Sequence, residues 1–285
     1  VIQLRLEGAG DVLDLNGIAT YGSGFQATTG LTGFGLPPVT AQWSEGAGDG
    51  ATYRGRRVLA RDIDIPLDIL ATDRENLKGL MSRLARVLAG EVKIVAVEPD
   101  GTEWYTYGVR VGGGQFVYGK DTIGDTDAQV VITLRCGDPY FTSEAVFRER
   151  IIPLGGTSLF LNSMVNLSVS PSSVIGSITI DNTGDATVYP VWTVVGPGDN
   201  FKAVSPSGET LWWTGTLTAG QTLTIDTRKG TVVSDTGVNK YANLAAAPRF
   251  WTVAPGISTS EASFQGTTSG SLISCGWRIR KWLVI

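Results

Sequence analysis

Between Ile63 and Leu88 the hydrophobic pattern changes period. Ile63, Ile65, Leu67 and Ile69 share one parity and Asp62, Asp64 and Asp68 take the other, the two-residue alternation of a strand with one buried and one wet face. Thr72-Asp73-Arg74-Glu75 then reads as a capping box, with the Thr72 hydroxyl accepting from the free amides and Glu75 reciprocating. Leu77, Leu80, Met81, Leu84, Val87 and Leu88 recur at helical spacing, and Gly90 stands where a left-handed stop is wanted. The rest of the chain has no comparable helical pattern. The spacing therefore predicts one helix lying as a lid across a sheet.

The remaining apolar runs read as strands. The chain opens with an alternating Val1-Ile2-Gln3-Leu4-Arg5-Leu6, and Gly17 to Gly50 reads as a long glycine- and threonine-rich loop holding short strands. Val92 to Val97 and Trp104 to Val111 flank the turn Glu98-Pro99-Asp100-Gly101 as a hairpin, and Ala128 to Cys136 makes the last strand of the first half. Pro66 predicts that its strand lies at an edge or bulges there. In the second half Ile175 to Asp181 and Thr187 to Val195 flank Asn182-Thr183-Gly184-Asp185, read as a hairpin turn. Leu217 to Ile225 is interrupted at Ala219-Gly220-Gln221, Thr231 to Val233 reads as a further strand, and Gly276 to Ile285 as the closing one. Short strands at this spacing predict a sandwich. The expected division is 1–148 and 149–285, joined by a linker from Arg148 to Val174 that includes Pro153, Gly155-Gly156 and a serine-rich run.

Composition fits two folded domains: 285 residues, 42% hydrophobic, 18% charged, with 37 glycines spread between strands. No apolar run reaches the roughly 18–20 residues of a membrane helix, and the first residues lack the apolar core of a signal peptide. The expectation is a soluble protein assembled in the cytoplasm, for which the glycosylation sequon Asn166-Leu167-Ser168 has no consequence. Residues 1–148 carry 14 basic and 19 acidic side chains, and the remainder 9 and 8. Neither half has the basic excess that gripping a phosphate backbone requires. Cys136 and Cys275 are the only cysteines, too far apart in sequence for a metal-ligand spacing, and Cys136 extends the buried parity of Val130, Ile132 and Leu134.

The chain contains no histidine, which removes the commonest general base and the commonest metal ligand together. Asp62/Asp64 and Asp121/Asp125/Asp127 are the best carboxylate groupings; an exposed strand face and a solvated turn explain them better than catalysis. Gly22-Ser23-Gly24 lacks the third glycine and the following helix of a dinucleotide site. No catalytic, cofactor-binding or metal-binding residue is expected. Arg54, Arg56, Arg57 and Arg61 cluster within one expected strand, read either as a solvent face balanced by Asp62 and Asp64 or as a contact with a neighbouring subunit, where the planar guanidinium can hold a carboxylate. Six of the eight tryptophans lie in the second half. Trp212 and Trp213 are adjacent and point to opposite faces of any strand, so one is expected to be exposed to a partner or glycan.

The order of these pieces resembles the distal tail protein (Dit) family of long-tailed phages, especially those of actinobacterial hosts. The resemblance rests on Gly48-Asp49-Gly50-Ala51-Thr52-Tyr53 running into Arg54 to Arg61, the strand Asp62 to Leu70, the capped helix, the Pro99-Asp100-Gly101 hairpin and Asp138-Pro139-Tyr140-Phe141. In the second half it rests on Asn182 to Pro190 and Leu217 to Asp226. It implies a mainly β protein, with an N-terminal tail-tube-like domain of two sheets and one helix and a C-terminal galectin-like sandwich. It further implies a hexameric ring in the virion between the tail tube protein and the tail-tip hub, letting DNA pass and holding receptor-binding or fibre proteins. The alternatives are a carbohydrate-binding adhesin of the tail tip and a tail tube protein.

Overall fold

The computed structural model describes residues 2–115, 124–152 and 173–284. Asp121, the Asn166 sequon and the 153–172 stretch of the expected linker lie outside the described residues. The chain forms two compact units, Val1–Glu144 together with Lys281–Ile285, and Ala145–Arg280.

The first unit contains β1 (Gln3–Gly8), β2 (Asp11–Asp14), α1 (Gly17–Tyr21), β3 (Gly24–Ala27), β4 (Val39–Glu45), β5 (Ala51–Val58), β6 (Arg61–Leu70), α2 (Arg74–Val87), β7 (Glu91–Val97), β8 (Glu103–Gly113), β9 (Asp127–Cys136) and β10 (Phe141–Ser143). Its main sheet runs β2-β1-β7-β8-β9-β6-β3. The two ends of that sheet meet through Leu15. Its N–H donates to Leu4 C=O at 2.9 Å and its C=O accepts from Ala27 N–H at 2.7 Å, while Asn16 bridges Gln26. The sheet is thus curled into a barrel-like wrap with little open edge. Its interior holds Leu4, Leu6, Leu13, Leu15, Phe25, Ile63, Ile65, Leu67 and Ile69, all buried. The alternation along β6 set this orientation. The expectation that Pro66 marks an edge or a bulge is corrected: β6 lies between β9 and β3, and Pro66 stands in unbroken register with Val131. Its carbonyl faces the β3 side, where it accepts from Thr28 N–H at 3.0 Å, and the β3 pairing stops at Leu67, so the missing amide donor breaks no ladder bond.

Helix α2 covers the interior with Leu77, Leu84, Val87 and Leu88, while Leu80 and Met81 are half-buried. Each buried side chain contributes about 1.5–3 kcal/mol gross. The cap lies one residue later than expected: the Asp73 carboxylate accepts from Asn76 N–H at 2.8 Å, and the Thr72 hydroxyl is turned to Asp73 at 3.2 Å. The C-terminal stop also differs. Leu88 ends the helix in a right-handed conformation, and Gly90 has no positive φ. The expectation of a single helix misses α1, a five-residue turn of helix within the stretch read as loop.

The second unit contains β11 (Phe147–Ile151), β12 (Ser173–Asn182), β13 (Val191–Val195), β14 (Gly198–Val204), β15 (Thr210–Leu217), β16 (Thr222–Asp226), β17 (Thr231–Ser234), β18 (Gly256–Gln265) and β19 (Leu272–Trp277). They form two sheets, β11-β19-β13-β16-β17 and β12-β18-β14-β15. Between them lies an aromatic core in which Trp192 packs on Phe201 at 5.6 Å and on Trp251 at 5.8 Å.

Three sequence expectations are corrected here. Asn182-Thr183-Gly184-Asp185 is not a hairpin turn, because β12 pairs with β18 and β13 with β16 and β19. Asn182 instead anchors a corner between the sheets: its buried amide donates to Ala186 C=O at 3.0 Å and Val253 C=O at 3.3 Å, and its Oδ1 accepts from Gly184 N–H. A Cβ on Gly184 would collide with the Arg280 carbonyl. Arg148 belongs to β11 rather than to a linker. The closing strand ends at Trp277, and Lys281–Ile285 returns to the first unit.

Candidate functional site

The stretch between Gly33 and Val58 builds an exposed arm. β4 and β5 pair only with each other, as a two-stranded sheet with a bulge opposite Gln42 and Trp43. The glycine-rich sequence Gly46 to Gly50 connects them, with Gly50 at positive φ. Register places Val39 opposite Val58, Ala41 opposite Arg56 and Trp43 opposite Tyr53, so one face of the arm is largely apolar. Trp43 and Tyr53 meet edge to face at 5.4 Å, yet they remain 61% and 51% exposed. An isolated two-stranded ribbon is marginal in water, and here one of its faces is nearly uncovered.

The four arginines separate into three environments. Arg54 and Arg57 lie exposed on β5. Arg56 stacks its guanidinium 5.0 Å from the centre of the Trp282 ring, securing the base of the arm. Arg61 is buried and does not belong to that surface. Its Nη1 donates to Gly33 C=O at 2.7 Å and Gly35 C=O at 3.1 Å, and its Nη2 donates to Trp282 C=O at 2.6 Å. The same guanidinium lies 4.6 Å from the centre of the Phe141 ring. Burial lowers its pKa from the ordinary value; three carbonyls and an aromatic face offset part of that cost, while Nε is buried without a hydrogen-bond partner.

The returning segment is held at further points. Val284 N–H donates to Phe34 C=O at 3.2 Å, and the Lys281 ammonium lies 4.3 Å from the centre of the Trp104 ring. Gly33 is required where it is, since its φ is +92° and a Cβ would strike the Asp62 carbonyl. Arg61 thus ties one root of the arm and the returning segment to the barrel.

Three of the expected carboxylates, Asp62, Asp64 and Asp125, have local partners among the described residues. Asp62 takes two hydrogen bonds from Arg135 at 2.8 Å, which hold its pKa below the ordinary carboxylate value. Asp64 accepts from Thr133 at 2.7 Å and Thr32 at 3.2 Å. Asp125 lies 3.5 Å from Arg74. Both cysteines are buried and unpaired; burial pushes the Cys136 thiol up to about 11 and the Cys275 thiol higher still, far from the range of a reactive thiolate. Among the described residues no group of three candidate ligands could hold a metal, and no helix is long and apolar enough to cross a membrane.

In the second unit Trp213 is buried in the core, and its indole N–H donates to Lys240 C=O at 3.4 Å. Trp212, on the opposite face of β15, is 43% exposed and stands opposite Lys202 of β14. Of this pair only Trp212 can meet a partner. Trp43 was not singled out in the sequence, Tyr53 entered only through the family resemblance, and Trp282 only as one of the six tryptophans of the second half. Two aromatics flanking a glycine-rich turn, at positions that pair across it, were the available signal for the first two.

These features define the fold: a curled barrel-like sheet capped by one long helix and bearing an exposed arm, followed by a two-sheet sandwich. That fold is the one found in phage tail hub and baseplate proteins. The chain is similar to the SPP1 Dit (gp 19.1) protein, described as a paradigm of the hub adsorption apparatus in phages infecting Gram-positive hosts, with TM-score 0.67 and 15% identity over 98% of this chain and 99% of that one. It is also similar to a chain of the phage P2 baseplate in its activated, calcium-bound conformation, with TM-score 0.52 and 11% identity over 94% and 99%. No protein-family model and no curated protein matches the chain.

Proposed function

We propose that this protein is a non-enzymatic structural component of a phage tail tip: a distal tail protein forming a six-fold ring that connects the tail tube to the tip. The observation that carries the reading is the fold match across both units, covering nearly all of this chain and of the SPP1 hub protein. The exposed arm supports it, because a self-associating subunit needs a surface left uncovered in the single chain. In this reading the tail tube protein and the tail-tip hub stack on the ring, and the sandwich holds receptor-binding or fibre proteins. DNA crosses the lumen, which the acidic balance of residues 1–148 keeps from gripping it. The protein then resides in the virion, after assembly in the host cytoplasm.

Antibodies raised against the purified chain test this on intact particles. Labelling confined to the distal end of the tail is expected; label along the whole tail would make it a tube protein, and absence of label would remove it from the virion. Trp212 beside Lys202 sustains a second reading, a glycan-binding face on the sandwich, tested below.

A further inference from the structure

We infer that the ring contact joins two different surfaces of the chain, with the arm of one copy seated in a cleft on the barrel wall of the next. This rests on the ring proposed above and names the surfaces that build it. The cleft, about 750 Å³ and open to solvent, lies outside β6 and β9 and is lined by Thr28, Pro66, Asp68, Gln129 and Val131 among others. Pro66 and Val131 are paired neighbours across the two strands, and Val131 is half exposed. Val111, two residues from the cleft's Gly113 on β8, is also exposed.

Elsewhere the barrel wall is laced with ion pairs: Arg5 with Glu103 at 2.7 Å, Arg83 with Asp11 at 2.6 Å, Arg135 with Asp62 at 2.8 Å. The cleft instead sets Pro66 and Val131 beside uncharged polar groups, Thr28 and Gln129 among them, and a carboxylate, Asp68, that has no hydrogen-bond or ion-pair partner among the described residues. The arm presents the complement. Trp43 and Tyr53 offer aromatic area of the kind that anchors interfaces, and Arg54 and Arg57 are cations likewise unpaired among the described residues. Aromatics on Pro66 and Val131, with an arginine on Asp68, would satisfy both sets. A contact between two unlike patches repeats from copy to copy, and it closes into a ring when the rotation allows.

Two variants test it, each first shown to keep the parent's circular dichroism and unfolding midpoint: Trp43→Asp with Tyr53→Asp on the arm, and Asp68→Arg with Val131→Arg in the cleft. By native mass spectrometry each alone should be monomeric. An equimolar mixture should stop at dimers, because an intact arm then meets an intact cleft only once. If the parent forms rings but either variant also forms rings, or the mixture stays monomeric, this assignment of surfaces is overturned and the ring survives. If the parent itself never assembles, the ring reading fails and takes this inference with it.

Discussion

The Arg61 guanidinium donates a 2.6 Å hydrogen bond to the carbonyl of Trp282, a residue 221 positions further along the chain. With its bonds to Gly33 and Gly35, that side chain fixes the returning segment and the start of the arm to one point of the barrel. Arg61→Leu should cost the first unit about 1–3 kcal/mol, the scale of leaving a buried hydrogen-bonding group unsatisfied. Arg61→Lys should recover little, since one ammonium cannot reproduce a planar fork. Urea unfolding checks both; a leucine variant as stable as the parent would show that the bonds carry no net stability.

The α2 stripe gives a second prediction. Leu84 is buried, so Leu84→Ala should cost about 2–5 kcal/mol, whereas Met81→Ala, at a half-buried position, should cost less. Chemical denaturation at neutral pH decides, and equal losses at both positions would mean that the helix does not cover the barrel as described.

How much of this was legible in the sequence depends on burial. β6 and α2 were readable because each has one wet face and one dry face, so period and orientation came together. The arm was read only as short strands in a loop and one arginine-bearing strand: Val39, Ala41 and Trp43 alternate with Thr40, Gln42 and Ser44, but nearly every residue of β4 and β5 is exposed and a bulge interrupts the pairing, so neither face marked itself as buried. Arg61 looked like one of four surface arginines, although it shares the parity of Ile63 and Ile65; that was the clue to its burial. Asn182-Thr183-Gly184-Asp185 has hairpin chemistry, but local turn preference does not say which sheet receives the next strand. Only the long-range bonds of Asn182 to Ala186 and Val253 do.

Acid should weaken the first unit before it affects the core. The Arg83 hydrogen bonds hold Asp11 at about 2, below its ordinary 3.8; Arg135 lowers Asp62, and the Asn76 amide lowers Asp73. A carboxylate with a depressed folded-state pKa contributes its stability in full above the unfolded value, and loses it as pH falls through the folded one. The thermal midpoint should therefore be flat near neutrality and fall between about pH 4 and pH 2. Asp11→Asn should lower the neutral midpoint and shrink that acid-induced fall; an unchanged fall would remove Asp11 from the account.

Trp212 and Trp213 should behave oppositely. Trp213→Ala opens a void in the sandwich core and should cost about 3–5 kcal/mol. Trp212→Ala should leave stability nearly unchanged. On a glycan array the parent should give no signal above background; a specific signal lost in Trp212→Ala would favour the adhesin reading.

Duplex DNA should pass this protein without being held. The acidic balance of residues 1–148 predicts no retention of linear duplex even at low ionic strength, where any basic channel would grip hardest. A salt-dependent gel shift would contradict the slippery lumen.

Mass of the native assembly in solution bears most directly on the central claim. A species of six times the 30.2 kDa chain is expected, concentrated at one stoichiometry rather than spread over open oligomers. A single 30.2 kDa species persisting at the highest attainable concentration would contradict it.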